Sequence, residues 1–488
     1  MKRTAVIGAG IGGLATAIRL ACLGHSVTVF EANAYPGGKL TAFSKDGFRF
    51  DAGPSLFTMP QYVTELFDMA GERAADHFTF RSLPVSCHYF WEDGTRFQAS
   101  TDRAVFAREA ASAFGTAEAL TTAYLQRSER KYRLAGRIFL EYSLHRLRTW
   151  FQPGVLKALA FLPFFDLFRS MHQVNRNWFG DPRLTQLFDR YATYNGSDPY
   201  QAPGMLTIIP HFEHGIGTFY PEGGMHRITE ALYGLALRKG VAFRFGETVS
   251  AIETKAGTAT GIRTAGRTEP FDRVVSNMDV YYTYHRLLEG IRRPERILRQ
   301  PKSTSALIFY WGVDRVFPEL HLHNIFFSAD YETEFRTLAA GAVSEDPTVY
   351  VNITSKLTPS DAPAGAENWF VMVNTPCADT QGTSEAWVSR IREQVLAKLS
   401  RRLGVELGAL VRTEAILDPS EIERRTSSHR GALYGYSSNN MMAAFLRHPN
   451  FSSRVKNLYF VGGSVHPGGG IPLCLLSAKI TAKEIGPA

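Results

Sequence analysis

Apolar positions along this chain fall into two recurring patterns. Short unbroken runs read as buried strands, and stretches with apolar residues three and four apart read as helices. Near the N-terminus the run Ala5–Ile7 enters a glycine turn, and a helical pattern then extends from Gly12 to Leu23, where Gly24 stops it. Val27–Phe30 is the next strand. The C-terminal part repeats this order: Leu458–Val461 is a buried strand, a glycine-rich loop follows, and a helix starts near Pro472, a residue suited to a first helical turn. Between them, Leu40–Phe50 and Cys87–Phe97 read as hairpins, the second with an Asp93-Gly94 turn. A helix is expected from about Met225 to Lys239, followed by the strand Val241–Phe245, an edge strand Glu247–Ile252 and the short strand at 274–279. Ala306–Gly312, Thr348–Ile353 and Trp369–Asn374 read as strands and Glu385–Leu399 as a helix. Residues 121–210 differ, with aromatics, long aliphatics and arginines at helical spacing and few strand signals.

The glycines carry chemistry. Gly8, Gly10 and Gly13 form G-x-G-x-x-G between a strand and a helix: the first allows a tight turn, the second a close backbone approach to a pyrophosphate, the third close packing of helix on strand. The helix start then offers free amides and the positive end of its dipole to phosphates. Glu31 ends the second strand about 20 residues on, where an acid accepts hydrogen bonds from ribose hydroxyls and disfavours a 2′-phosphate. Strand, glycines, helix, strand and acid in this order predict a dinucleotide site. In the late loop, Gly462, Gly463, Gly468, Gly469 and Gly470 leave almost no side chains between backbone and ligand.

Composition narrows the partners. The chain has 488 residues, 44% hydrophobic and 20% charged, enough for two or three globular domains. A formal charge of +8 favours anionic partners, but no nucleic-acid fold or basic recognition helix appears, so nucleic acid is not expected. Cys22, Cys87, Cys377 and Cys474 are scattered, which argues against a disulfide framework or a metal site and fits a reducing cytoplasm. The sequence opens on its first strand, so no signal peptide is expected. No apolar run reaches the roughly 20 residues that span a bilayer.

The stretches GAGIGG, FEANAYPGGKL, RFDAGPSLF, YPEGGM, VVSNMD and FVGGSVHPGGGIP make the chain resemble bacterial-type carotenoid and phytoene desaturases, within the flavin amine oxidase superfamily, over its full length. FDAGPSLFTMP and SSNNMMAAFLRHPNF are most similar to the subgroup of 1-hydroxycarotenoid 3,4-desaturases. The resemblance implies FAD. Its contacts would come from Gly8, Ala9, Gly10, Ile11, Gly12, Gly13, Glu31, Ala32, Gly37, Gly38, Lys39 (the cation near the diphosphate), Gly53, Pro54, Ser55, Val249, Gly463, Ser464, Gly470 and Ile471. The expected fold class is α/β: a discontinuous Rossmann-like FAD-binding domain (1–70, 215–289 and 440–488), a mixed-sheet substrate domain (71–120 and 290–439) and a helical, membrane-associating lid (121–214).

In such an enzyme a C–C bond beside a conjugated polyene loses a hydride and a proton, and His466, Glu222 and His214 are the candidate proton acceptors. A long acyclic carotenoid is practically insoluble, so a tunnel opening onto lipid is expected. The run Val155–Phe168 is too short and too interrupted by Lys157, Pro163 and Asp166 to cross a bilayer. Flanked by Arg127, Arg130, Lys131, Arg133, Arg137, Arg146 and Arg148 before it and Arg169 and Arg176 after it, it suits an anionic membrane surface. The expected location is cytoplasmic, peripheral on the inner face of the cytoplasmic membrane. The alternatives are a phytoene or diapophytoene desaturase, an amine oxidase, and a non-catalytic FAD-binding carrier or isomerase; the sequence names no electron acceptor.

Overall fold

A parallel sheet of five strands carries both glycine turns. Its order is Leu458–Phe460, Arg273–Ser276, Arg3–Ile7, Ser26–Glu31 and Ala242–Phe245. Register pairs Val6 with Val275 on one side and Val29 on the other, so Ala5, Val6 and Ile7 are buried on both faces, the reason the strand reads as an unbroken apolar run. The helices Ile11–Cys22, His226–Arg238 and Ile471–Ile485 cover one face, joining Leu14, Ile18, Leu232, Leu235, Leu475 and Leu476 in a single core. The computed structural model describes residues 1–378, 383–440 and 443–488; Met441 and Met442, within SSNNMMAAFLRHPNF, lie outside them.

A second sheet has seven strands in the order Val411–Leu417, Ser305–Val313, Glu367–Thr375, Val349–Ile353, His323–Phe326, Val85–Phe90 and Arg96–Ser100. Its neighbours are antiparallel except His323–Phe326 beside Val85–Phe90, so the sheet is mixed. The segment expected as an edge strand at 247–252 is Val249–Lys255, at the edge of a separate three-stranded antiparallel sheet. The turn decides this. Ala256 and Gly257 both have positive φ (49° and 72°), the two-residue hairpin geometry that sends the chain straight back as Thr258–Thr264.

Residues 118–216 are helical. Leu184, Leu187 and Phe188, from the helix Pro182–Asp189, pack with Tyr89 and Phe327 of the mixed-sheet region. The apolar run at 155–168 divides into the helix Pro153–Ala160 and the 3-10 turn Leu162–Phe165, and Asp166 ends it at φ 52°. Among the described residues no helix is long and apolar enough to cross a membrane.

Candidate active site

The two glycine turns lie against each other at the C-terminal ends of the parallel strands, where α/β sheets hold ligands. Asn277, just beyond the strand Arg273–Ser276, stitches them together. Its Oδ1 accepts the Gly13 amide (3.0 Å) and its Nδ2 donates to the Val461 carbonyl (3.1 Å). A Cβ on Gly12 would stand 3.3 Å from the Gly462 Cα, so the turns touch backbone to backbone.

From this junction a cavity of about 980 Å³ runs into the molecule. One end is lined by Gly8, Gly10, Glu31, Ala32, Glu247 and Val249, the middle by Gly37, Gly38, Lys39, Gly53, Pro54, Ser55, Gly463, Ser464, Gly470 and Ile471. Beyond it the lining becomes apolar, with Ile138, Leu144, Val155, Phe165, Met205 and Ile208 from the helical region. Ile11 and Gly12 also line it, whereas Ala9 and Gly13 do not. Those two are struts: the Ala9 amide donates to Glu31 Oε2 (2.7 Å) and its carbonyl accepts the Gly37 amide (2.8 Å), while Gly13 packs on the Gly8 carbonyl.

Several polar roles differ in detail from the sequence expectation. Glu31 lines the nucleotide end, but its carboxylate also holds the local backbone, accepting from Ala9 and from the amide and side chain of Asn33. The Lys39 ammonium donates to the carbonyls of Ala432 (2.8 Å) and Leu433 (2.9 Å), and its burial lowers its pKa to about 8. Asp51 is buried and accepts the amides of Met225 and His226, fixing the start of the helix His226–Arg238. The site-lining part of FDAGPS is therefore Ala52–Ser55.

Of the three candidate proton acceptors the cavity takes in His466 alone. Its Nε2–H donates to the Tyr142 carbonyl (2.9 Å), leaving the lone pair on Nδ1 buried and without a partner. Burial lowers its pKa to about 3, so the ring is neutral. Glu222 is exposed just after the strand Phe219–Pro221, does not line the cavity, and accepts the Thr79 hydroxyl (2.7 Å). His214 is buried against Tyr191 and Phe106 while its neighbour Glu213 lines the cavity. Sequence reasoning also missed Asn277, and it missed a polar wall of Arg190, Glu213, His323 and Tyr350. The ending of VVSNMD in a polar loop was the available signal for Asn277; nothing local marked the wall.

The site fits FAD. Two helices begin on this one cavity, at Gly10 and Gly470, and neither N-cap supplies a side-chain cap; with the Gly13 amide taken by Asn277 and Pro472 lacking one, the amides of Ile11, Gly12 and Ile471 are left for a ligand. A Cβ on Gly470, where φ is +108°, would project into open space. Glu31 supplies an acid at the nucleotide end. The first helix start suits a diphosphate and the second suits the electron-rich edge of a flavin ring. Among the described residues no group of three or more His, Cys, Asp or Glu is placed to hold a metal ion.

Comparison with known proteins agrees. The sequence profile of flavin containing amine oxidoreductases matches residues 11–486. The chain is 50% identical to a 1-hydroxycarotenoid 3,4-desaturase from Flavobacterium sp., over 99% of both chains. It is 35% identical to a 4,4′-diapolycopene oxygenase from Methylomonas sp., over 99% of this chain and 98% of that one. Among solved structures, an oxidoreductase from Methanosarcina mazei shares the fold, with a TM-score of 0.61 and 18% identity over 99% of both chains.

Proposed function

We propose that this chain, which belongs to the family of flavin-containing amine oxidoreductases and is an FAD-dependent enzyme, desaturates a long acyclic carotenoid that carries a hydroxyl at C1. The observation that carries the reading is 50% identity over 99% of both chains to a protein of that named activity. The cavity supports it: past the glycine turns its lining is apolar, which suits a polyene better than a small amine. Incubating the FAD-loaded protein with phytoene, lycopene and a 1-hydroxylated acyclic carotenoid tests it. A red shift of the last substrate's absorption is expected, and no shift with any of the three removes the reading.

Bound between the two helix starts, the flavin supplies an acceptor for two electrons and a proton, taken together as hydride. The protein holds the chain and keeps water out, through Leu144, Val155, Phe165, Met205 and Ile208. As hydride leaves, positive charge spreads along the polyene, and the neighbouring C–H becomes strongly acidic. The unpartnered Nδ1 of His466 is the group we assign to receive that proton, and so acidic a proton suits a base of pKa about 3. For His466→Ala, anaerobic flavin bleaching by substrate is expected to slow by about 10²-fold or more. An unchanged rate rejects the assignment.

The same reading includes reversible attachment to an anionic membrane, assigned to the inner face of the cytoplasmic membrane. Leu147, Phe151, Leu162 and Phe168 are exposed at 80%, 78%, 40% and 86%, within the helical region that lines the apolar end of the cavity. Leu162 does both, being exposed and part of the lining. Arg130, Lys157, Arg169 and Arg176, from the same stretch of chain, are exposed too. Lys131 does not join this margin, because its buried ammonium is held by Asp166, Gly204 and Thr207. Burying one such apolar side chain in lipid contributes about 1.5–3 kcal/mol. The triple variant Leu147→Ser, Phe151→Ser, Phe168→Ser is expected to stay at the bottom of a flotation gradient with anionic vesicles while the unaltered protein rises. Equal flotation of the two rules this surface out.

A further inference from the structure

The cavity is apolar over much of its length, yet one wall is polar, built from four separate segments, and used by nothing described so far. Arg190 follows the helix Pro182–Asp189, is 7% exposed, and lines the cavity. Its guanidinium lies among the rings of Tyr89, Tyr191 and Tyr194, at 5.3, 4.4 and 5.3 Å. The carboxylate of Glu213 is its ion-pair partner, but only at 3.4–3.5 Å, and that carboxylate makes its short bond elsewhere, accepting the Tyr191 hydroxyl at 2.6 Å. Arg190 Nε is left buried without a partner.

His323 lines the same cavity from the mixed sheet. Its Nδ1 meets the Tyr350 hydroxyl at 2.7 Å and Asn352 Nδ2 at 3.2 Å. An amide nitrogen can only donate, so Nδ1 is the acceptor and Nε2 bears the hydrogen. That Nε2–H is buried and has no partner. The Tyr350 hydroxyl is joined in turn to Ser55 Oγ (2.8 Å), in the Gly53–Ser55 turn that lines the middle of the cavity. A hydrogen-bonded spine therefore runs from the Gly53–Ser55 turn to His323. Asn195, on the same 3-10 stretch as Arg190, also lines the cavity and has a buried, unpartnered Oδ1.

Two unused donors and one unused acceptor around an otherwise greasy cavity are costly, because each buried orphan loses about 1–3 kcal/mol of hydration. A hydroxyl, which accepts and donates at once, relieves both kinds. We propose that Arg190 Nε–H and His323 Nε2–H donate to the terminal hydroxyl oxygen of the substrate, with Asn195 Oδ1 taking its hydrogen, and that this site selects which polyenes react. The inference rests on the carotenoid reading above and adds the residues that recognise the oxygen. In a 1-hydroxylated chain the oxygen-bearing carbon is two carbon–carbon bonds from C3. The same anchor therefore places the 3,4 bond, and the spine joins that anchor to the Gly53–Ser55 turn among the residues expected to hold the cofactor.

The test compares kcat/KM for a 1-hydroxylated acyclic carotenoid with that for the same polyene lacking the hydroxyl. The FAD-loaded protein, Arg190→Met and His323→Phe are assayed in liposomes. A site built to bond a hydroxyl rejects the analogue without it strongly, so the unaltered protein is expected to prefer the hydroxylated chain by at least about 10²-fold. In either variant that preference is expected to fall by about tenfold or more. Arg190→Met leaves Glu213 buried without its cation and can fail to fold. His323→Phe changes no charge and carries the test in that event, with FAD content as the measure of folding. Preference retained in FAD-loaded His323→Phe, or equal use of both polyenes by the unaltered protein, overturns the site while the desaturase reading stands. Conversion of neither polyene overturns the reading and the site together.

Discussion

Gly13→Val is expected to yield a colourless protein, with flavin retention lost and the folded state weakened by several kcal/mol. A Cβ on Gly13 would lie 2.1 Å from the Gly8 carbonyl oxygen and 3.0 Å from Asn277 Oδ1. Neither neighbour can give way. Gly8 sits at φ +96° where the first strand turns, and Asn277 is held at both ends by the Gly13 amide and the Val461 carbonyl. Nor can the helix retreat, because Leu14, Ala17 and Ile18 are wholly buried against the neighbouring helices. Overpacking of a well-packed site costs about 1–3 kcal/mol, and more where backbone rather than a flexible side chain is struck. The same shift moves the amides of Ile11 and Gly12 away from the cavity. Flavin absorbance per protein and a thermal melt are the measurements. Gly266→Ala is the control, since a Cβ there meets nothing within 4 Å, and it should stay yellow. A fully yellow Gly13→Val would mean that the diphosphate is not held at this turn.

That turn was legible in the sequence because its signals are local: an apolar strand, glycines at fixed spacing and a helix, all within the first 23 residues. The late loop was legible for the same reason. The polar wall was not, because Ser55, Arg190, Glu213, His323 and Tyr350 come from segments up to 295 residues apart, and no short stretch carries its signature. Glu222 and His214 show the opposite hazard. The sequence predicts both beside the cofactor, Glu222 from its place in YPEGGM, but adjacency in sequence does not fix which way a side chain faces. Glu222 turns outward to Thr79, and in the π-helical turn Phe212–Ile216 it is Glu213 that reaches the cavity. Lys131 was read as part of a cationic margin from its neighbours' charge, whereas Asp166, 35 residues away, draws it inside.

Acid is expected to unfold this protein well above the pH at which its carboxylates titrate. Six buried histidines have their pKa lowered by desolvation from the ordinary 6.5: His88, His211, His214 and His448 to about 4, His323 and His466 to about 3. Each is neutral in the fold and bonded as a neutral ring: His448, for example, donates Nδ1–H to the Pro449 carbonyl and accepts the Tyr284 hydroxyl at Nε2. Above pH 6.5 these rings are neutral whether the chain is folded or not, and they contribute no pH dependence. Below it the unfolded chain binds protons that the folded chain refuses, so stability falls as the pH drops from 6.5 to about 4, and to about 3 for His323 and His466. Each unit of pH below the unfolded value costs about 1.4 kcal/mol per histidine. At pH 5 that is about 2 kcal/mol for each of the four most enclosed rings, His214, His323, His448 and His466, and about 8 kcal/mol for these together, with His88 and His211 adding less; this is comparable with the whole stability of a typical fold, about 5–15 kcal/mol. Circular dichroism and flavin release followed between pH 7.5 and 4 should show a cooperative transition near pH 5. His448→Gln, which removes one of the six refusals without touching the cavity wall, should make the dependence shallower by about a fifth. A melting temperature that is the same at pH 5 and pH 7.5 would show that these rings are not held neutral by the fold.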